Sequence, residues 1–188
     1  MGYAILVIDM LEEFVYGRLK SPQAEKIVPR IKLIIEEARR RGIPIIYLAD
    51  AHLPMDAELK IWGPHALKGT KEAKVINDLK PQEKDIIIEK RWYSGFRGTG
   101  LDVLLRDLNV DTVIVTGIHT HICVLHTVAD AFYYRFNVIV VKDAVAAFSD
   151  EDHKYALKYM EQVFGAKLLT SDEVLKVLSK TEVSSYYA

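Results

Sequence analysis

The 188-residue chain has one cysteine, Cys123, so no internal disulfide can brace it; the thiol is either a small buried hydrophobe or a working group. It also lacks a charge excess. Its 25 Lys and Arg against 26 Asp and Glu leave a formal net charge of -1, which gives no electrostatic reason to expect nucleic acid or an anionic membrane as partner. No apolar run approaches the ~20 residues that span a bilayer. Even the stretch from Ile31 to Ala38 is cut by Lys32, Glu36 and Glu37. Met1-Gly2-Tyr3 runs straight into a strand-like segment without the charged and apolar regions of a signal peptide, so the expected location is cytoplasmic. Internal repeats, low-complexity tracts and linkers are absent too. What remains is a single domain over 1–180 and a tail at 181–188, read as weakly ordered or packed on a partner subunit. A chain of this size buries roughly 70% of the surface its unfolded form exposes.

What is present is a regular alternation. Short runs rich in Ile, Val and Leu at 3–9, 44–49, 85–89, 112–117, 138–142 and 166–169 do not alternate with polar residues, so they read as parallel strands buried on both faces. Between them lie amphipathic stretches. Ser21 reads as an N-cap with Pro22 at the first helical position; Ile27, Ile31, Ile34, Ile35 and Ala38 repeat at helical spacing, and Gly42 ends the helix. Further helices are predicted at 71–79, 100–108, 123–135, 150–164 and 171–179. The order predicts a doubly wound α/β fold: a three-layer α/β/α sandwich around a six-stranded parallel sheet.

Parallel strands bring their carboxyl ends to one edge of the sheet, where open α/β folds carry ligand sites. Asp9 ends the first run, Asp50-Ala51-His52 follows the second, and Glu89-Lys90-Arg91 ends the third. The fourth leads into Gly117-Ile118-His119-Thr120-His121-Ile122-Cys123, and the fifth ends in Lys142-Asp143. Acid, ammonium and thiol together suit nucleophilic catalysis. Asp9 would take the thiol proton and later give it to a leaving amine. Lys90 would hold Asp9 and lower the thiol pKa, and Cys123 would attack a carbonyl to form a thioester that water hydrolyses. Backbone N–H groups of His119 and Cys123 would form the oxyanion hole. The plain alternatives are that Asp9 caps a helix or simply pairs with Lys90, that Lys90 is a solvated surface charge, and that Cys123 is structural.

Three motifs carry a family resemblance. Asp9-Met-x-x-x-Phe14, Lys90-Arg-Trp-Tyr93-Ser94-Gly95-Phe96-x-Gly98-Thr99-x-Leu101 and Gly117-x-x-Thr120-x-x-Cys123-Val124-x-x-Thr127-x-x-Asp130-Ala131 are similar, in order and spacing, to those of the isochorismatase-like cysteine hydrolases, which include the nicotinamidases. The resemblance implies an Asp9-Lys90-Cys123 triad and a cis peptide bond at Ile118–His119. His119 and His121 depart from the small or acidic residues often found in that turn.

Asp50-Ala51-His52 followed by Trp62-Gly63-Pro64-His65 offers one carboxylate and two imidazoles, a set suited to zinc or another divalent first-row metal. The plainer reading makes these loop histidines caps or surface groups. Nicotinamidases look similar here, which implies Asp50, His52 and His65 as metal ligands, with Phe14 and Trp62 flanking a substrate ring and no organic cofactor. Where the family has D-W-H-P this chain has Asp50-Ala51-His52-Leu53. His126 and His153 fall on predicted helices and read as structural or surface residues. The leading expectation is a nicotinamidase-like hydrolase releasing ammonia from a small amide. The second is an N-carbamoylsarcosine amidase-like enzyme acting on a ureido amide with the same triad. Isochorismate is disfavoured as substrate, because family members that cleave it usually lack the thiol. From another class, phospho-acceptor regulatory domains also gather Asp, Thr and Lys at strand ends, but are shorter and give Cys123 no role. Relatives are commonly dimers or tetramers, so a homo-oligomer is expected, with Tyr133-Tyr134 and Tyr186-Tyr187 as candidate contacts.

Overall fold

Branched aliphatic side chains suit a pleated surface covered on both sides, and those runs do pair as strands. The computed structural model describes residues 2–181, so the expected tail, with Tyr186 and Tyr187, lies outside the described residues apart from Thr181. The elements are β1 (Tyr3–Ile8), α1 (Glu12–Val15), α2 (Ala24–Arg41), β2 (Ile45–Asp50), α3 (Leu59–Trp62), β3 (Ile86–Lys90), α4 (Leu101–Asp107), β4 (Thr112–Ile118), α5 (Leu125–Tyr133), β5 (Asn137–Ala146), α6 (Asp150–Phe164), β6 (Lys167–Leu169) and α7 (Ser171–Ser179). The six strands form one parallel sheet in the order β3-β2-β1-β4-β5-β6. The order reverses direction between β1 and β4, which opens a crevice at their carboxyl ends.

Successive strand residues point to opposite faces and feed two cores. Ile5, Val7, Tyr47 and Ile114 pack with Ile31, Ile34 and Ile35 of α2 and Val174 and Leu178 of α7. Leu6, Ile8, Leu48 and Val115 pack with Leu105 of α4, Val128 of α5 and Met160 of α6. The three-layer sandwich is as expected.

Several local expectations need correction. Helix α2 starts at Ala24, later than expected; the Ser21 hydroxyl accepts from the Gln23 N–H (3.3 Å) and donates to the Ala147 carbonyl (2.7 Å), which ties the helix entry to the end of β5. Its end at Gly42, in the left-handed region at φ 65°, is as expected. Residues 71–79 form no helix beyond one 3-10 turn, Asn77–Leu79. Their backbone instead serves the loop after β1: the N–H groups of Glu12 and Glu13 donate to the carbonyls of Lys74 and Glu72, and Ile76 N–H donates to Met10. β3 is an edge strand with Ile87 and Glu89 exposed, so it is covered on one face rather than two. β5 runs on to Ala146, past Lys142-Asp143. Asp143 is therefore not at a strand end; it accepts from the N–H (2.6 Å) and hydroxyl (2.7 Å) of Ser171 at the start of α7.

One glycine fixes the spacing of the crevice. Gly117 has φ 111°, and a Cβ there would sit 2.0 Å from the Ile8 carbonyl oxygen on β1. Neither the conformation nor the space admits a side chain. A Gly117→Ala variant is expected to lose more than about 4 kcal/mol of unfolding free energy. Urea titration followed by circular dichroism measures this, and an unchanged midpoint would contradict it.

Candidate active site

β1, β2 and β3 end side by side, and each delivers one charged group to the same buried point. Asp9 follows β1 with φ 49°, a left-handed conformation that aspartate tolerates better than most residues. Asp50 and Lys90 are register partners on β2 and β3. The Lys90 ammonium lies 2.8 Å from Asp9 Oδ2 and 2.5 Å from Asp50 Oδ1, and also donates to the Trp92 carbonyl (3.2 Å). Asp9 Oδ1 accepts from the Asp50 N–H at 2.9 Å. The fourth contributor comes from the turn after β4. There Thr120–Val124 form one wide π turn before α5, a device that recurs at functional sites. It brings Cys123 Sγ to 3.7 Å from Lys90 Nζ. Asp9, Asp50 and Lys90 are each 1% exposed and Cys123 5%. Four of the five strand ends expected to converge do so, the one carrying Lys142-Asp143 being the exception, and Lys90 is buried rather than a solvated charge.

The Ile118–His119 bond is cis. The Ser94–Gly95 segment is fastened to α5, since Gly95 N–H donates to Thr127 Oγ1 at 3.0 Å. Thr120 Oγ1 lies 3.0 Å from His153 Nδ1, which gives His153 the structural place expected of it.

The electrostatics follow from burial. Burial and the charge of Asp50 raise Asp9 to about 6, against the pull of Lys90. Burial opposes ionisation of Asp50 as well, but Lys90 and His52 outweigh it and hold that carboxyl below its usual value. Burial would strip Lys90 of its proton, yet Asp50 and Asp9 more than compensate and the ammonium is held firmly. The thiol is pulled both ways. Lys90 does pull its pKa down, but burial and the two carboxylates push harder, so Cys123 rests as the protonated thiol.

Beside this group sits a second one. Single ligand atoms of Asp50, His52, Glu58 and His65 all lie within 4.8 Å of one another, and all four residues are buried. Glu58 was not singled out from the sequence. It stands in the loop between the two histidines, and only the folding of that loop brings it inward. His52 Nε2 is buried without a hydrogen bond, 3.5 Å from Asp50 Oδ2 and 3.7 Å from Glu58 Oε2. Its other nitrogen, Nδ1, lies 3.1 Å from Asp56, whose carboxyl is held well below the usual range by Arg91. His65 Nδ1–H donates to the Gly63 carbonyl (2.8 Å), and burial lowers its pKa, so its ring is neutral with Nε2 open. Burial and Asp50 raise Glu58 to about 7. A buried, partnerless imidazole nitrogen facing two carboxylates fits a divalent cation.

Members of both groups, Asp50, Glu58, His65 and Cys123, line one cavity. Phe14 and Trp62, expected beside a substrate ring, line it with Tyr93 and Phe148, which sequence reasoning missed. Trp62 Nε1–H donates to Tyr93 Oη (3.0 Å), and the Phe148 ring stacks on His119 with centroids 4.0 Å apart. The His119 side chain is a wall as well, its Nε2–H donating to the Leu19 carbonyl at 3.1 Å. Burial and His121 drive its pKa down to about 3, so the ring is neutral. Arg18 donates to the carbonyls of Trp62 (2.8 Å) and Pro64 (3.2 Å), clipping the loop that carries Trp62 and His65.

Comparison with known proteins agrees with this architecture. Residues 3–173 match the Isochorismatase domain family. An uncharacterised isochorismatase-family protein of Bacillus subtilis is 34% identical over 92% of this chain and 96% of its own length. The solved N-carbamoylsarcosine amidase of Thermoplasma acidophilum is 45% identical with a TM-score of 0.87, covering 92% of this chain and 98% of that one. The pyrazinamidase of Pyrococcus horikoshii, solved in complex with zinc, is 30% identical with a TM-score of 0.82, covering 90% and 99%. Among the described residues no helix is long and apolar enough to cross a membrane. With its parallel sheet, its strand-end cluster and a family match over most of its length, this chain belongs to the isochorismatase family of hydrolases.

Proposed function

We propose that the protein is a cysteine amidase that releases ammonia from a small amide through a thioester on Cys123. The observation that carries this reading is the buried contact of Lys90 with Asp9, Asp50 and Cys123. Because the thiol rests protonated, attack needs a base, and Asp9, raised to about 6, is ionised at neutral pH yet basic enough to accept a proton. As Sγ attacks the amide carbon, its proton passes to Asp9. The carbonyl oxygen becomes an oxyanion facing the N–H groups of His119 and Cys123. Asp9 then protonates the amide nitrogen, the C–N bond breaks, and ammonia leaves. Water gives a proton to Asp9 and adds to the thioester; the acid departs as Sγ recovers its proton. Lys90 stays charged throughout and keeps Asp9 and the thiol in register.

Asp50, His52, Glu58 and His65 would hold a divalent cation, zinc being the type this donor set suits. When bound, such an ion offers a Lewis-acid anchor for a lone pair of the substrate. Flat walls from Phe14, Trp62, His119 and Phe148 beside that set favour a single heteroaromatic ring, so nicotinamide is the preferred substrate and nicotinate the product. One observation favours the ureido alternative: the 45% identity to an N-carbamoylsarcosine amidase. The phospho-acceptor reading is set aside with membership of a hydrolase family. A cytoplasmic homo-oligomer of two or four copies belongs to the same proposal, with the exposed Tyr133 and Tyr134 offered as contacts.

Ammonia release should be greatest with nicotinamide or pyrazinamide in a panel that also holds N-carbamoylsarcosine and other ureido compounds. A preference for the ureido members would move the enzyme to the second reading. Cys123→Ala should remain folded and lose at least about 10³-fold in kcat; an active variant would end the thioester mechanism. The pH profile has a definite sign. Since Asp9 must be ionised, kcat/KM should fall as pH drops below about 6, and a rate flat to well below that value would remove Asp9 as the base. Finally, Lys90→Met leaves two buried carboxylates uncompensated and should cost about 3–5 kcal/mol in urea unfolding.

A further inference from the structure

His52 can accept a metal at Nε2 only if its proton sits on Nδ1, and the structure assigns that choice to a two-residue clamp, Asp56 and Arg91. The inference rests on the metal-site reading above. Asp56 is a buried carboxyl, 6% exposed, in the loop after β2. Its oxygens accept from groups that can only donate. Arg91 Nε lies 3.0 and 3.1 Å from the two oxygens, Arg91 Nη2 is in close contact with Oδ1, and the Leu53 N–H donates to Oδ2 at 3.0 Å. Guanidinium and amide groups cannot accept, so Asp56 can only be the acceptor in all these bonds. The fourth group on it is His52 Nδ1, 3.1 Å from Oδ2, which therefore carries a proton. That leaves Nε2 as the imidazole atom facing Asp50 and Glu58, and it is the atom left without a hydrogen bond.

The second histidine is set the same way by different means. A backbone carbonyl, Gly63, accepts from His65 Nδ1 at 2.8 Å, and no side-chain substitution removes it. Asp56 is thus the part of the arrangement that selection or mutation can change, and an anionic acceptor makes the ligating nitrogen more basic than a carbonyl does. Arg91 follows Lys90 directly, so the end of β3 supplies one cation to the thiol group and the next to the metal group. Arg91 and Asp56 are positioning residues, since they act through His52.

The test uses the full chain and Zn²⁺ alone, with affinity measured by competition against a chromophoric chelator. The tautomer of His52 is read independently by ¹⁵N NMR of the metal-free protein at alkaline pH, where the ring is neutral. Wild type should show His52 protonated on Nδ1. Asp56→Asn, which places an NH₂ among donors, should weaken Zn²⁺ binding about 10–100-fold, and Arg91→Met should weaken it less in the same direction. Folded Asp56→Asn protein with wild-type Zn²⁺ affinity, or a wild-type His52 protonated on Nε2, would overturn the clamp. A merely structural Asp56 would lower Tm and leave the affinity of the folded protein alone. If Asp56→Asn does not fold, the wild-type tautomer decides by itself. The metal-site reading fails separately, if His52→Ala binds Zn²⁺ as tightly as wild type.

Discussion

The Lys90 ammonium, sealed between Asp9 and Asp50 and within reach of the Cys123 sulfur, is the constraint on which the rest of the molecule turns. Removing a charge from water costs several kcal/mol even after relaxation, and only close partners offset it. The partners must therefore arrive accurately. Asp50 and Lys90 are register neighbours on parallel strands, so a one-residue slip of β3 against β2 would send the ammonium to the opposite face of the sheet. Gly117 performs the matching task on the other side, letting β4 lie against β1 closely enough for the cysteine turn to reach the same point. Much of the core serves this end. Ile and Val stacked above and below the sheet fix strand positions for groups that would otherwise favour solvent.

The two functional groups are not independent, because Asp50 belongs to both. It bonds Lys90 on one side and lies near His52 on the other, and its charge is one reason Asp9 titrates near 6. The site thus combines a carboxylate tuned to exchange protons with one held ionised, the kind of division that lets paired acids play different parts. The protonated resting thiol is consistent with this division. A thiolate beside two carboxylates would be repelled, which under the proposed mechanism keeps the charge on Asp9 until a substrate carbonyl arrives.

How much of this was legible in the chain depends on whether local pattern or tertiary pairing decided each feature. Uninterrupted Ile and Val runs identified the strands, and in a parallel sheet the strand identity alone puts Asp9, Asp50, Lys90 and the Cys123 turn on one edge. Segment 71–79 failed because its amphipathic pattern was overridden by hydrogen bonds to residues 10–13, which no local window contains. Three isoleucines in a row look the same at an edge as at the centre, so the sequence marks β3 as covered on both faces. The pull of Lys90 on the thiol is legible in the motif; the burial that outweighs it is not, because motif residues reveal neighbouring charges but not the loss of water. Glu58, Asp56, Tyr93 and Phe148 lie on loops with no periodicity, and only the path of those loops brings them to the cavity.

Substrate choice depends on the same loops. The cavity walls come from the turn after β1, the segment between β2 and β3, the loop after β3, the turn after β4, and the residues just beyond β5, so no single motif sets its shape. Their chemistry nonetheless has a direction. Rings at Phe14, Trp62, His119 and Phe148 present flat faces and edges, which reward a planar ligand through area and quadrupole contacts and give little to a flexible charged chain. A carboxylate-bearing ureido substrate needs a cationic partner. Arg18, a cation that reaches this loop, commits its Nη2 group to the carbonyls of Trp62 and Pro64. Releasing it would loosen the segment that carries His65. Under the proposed reading a neutral ring uses these walls most fully, and a ureido acid would have to find its cation without breaking the Arg18 clip.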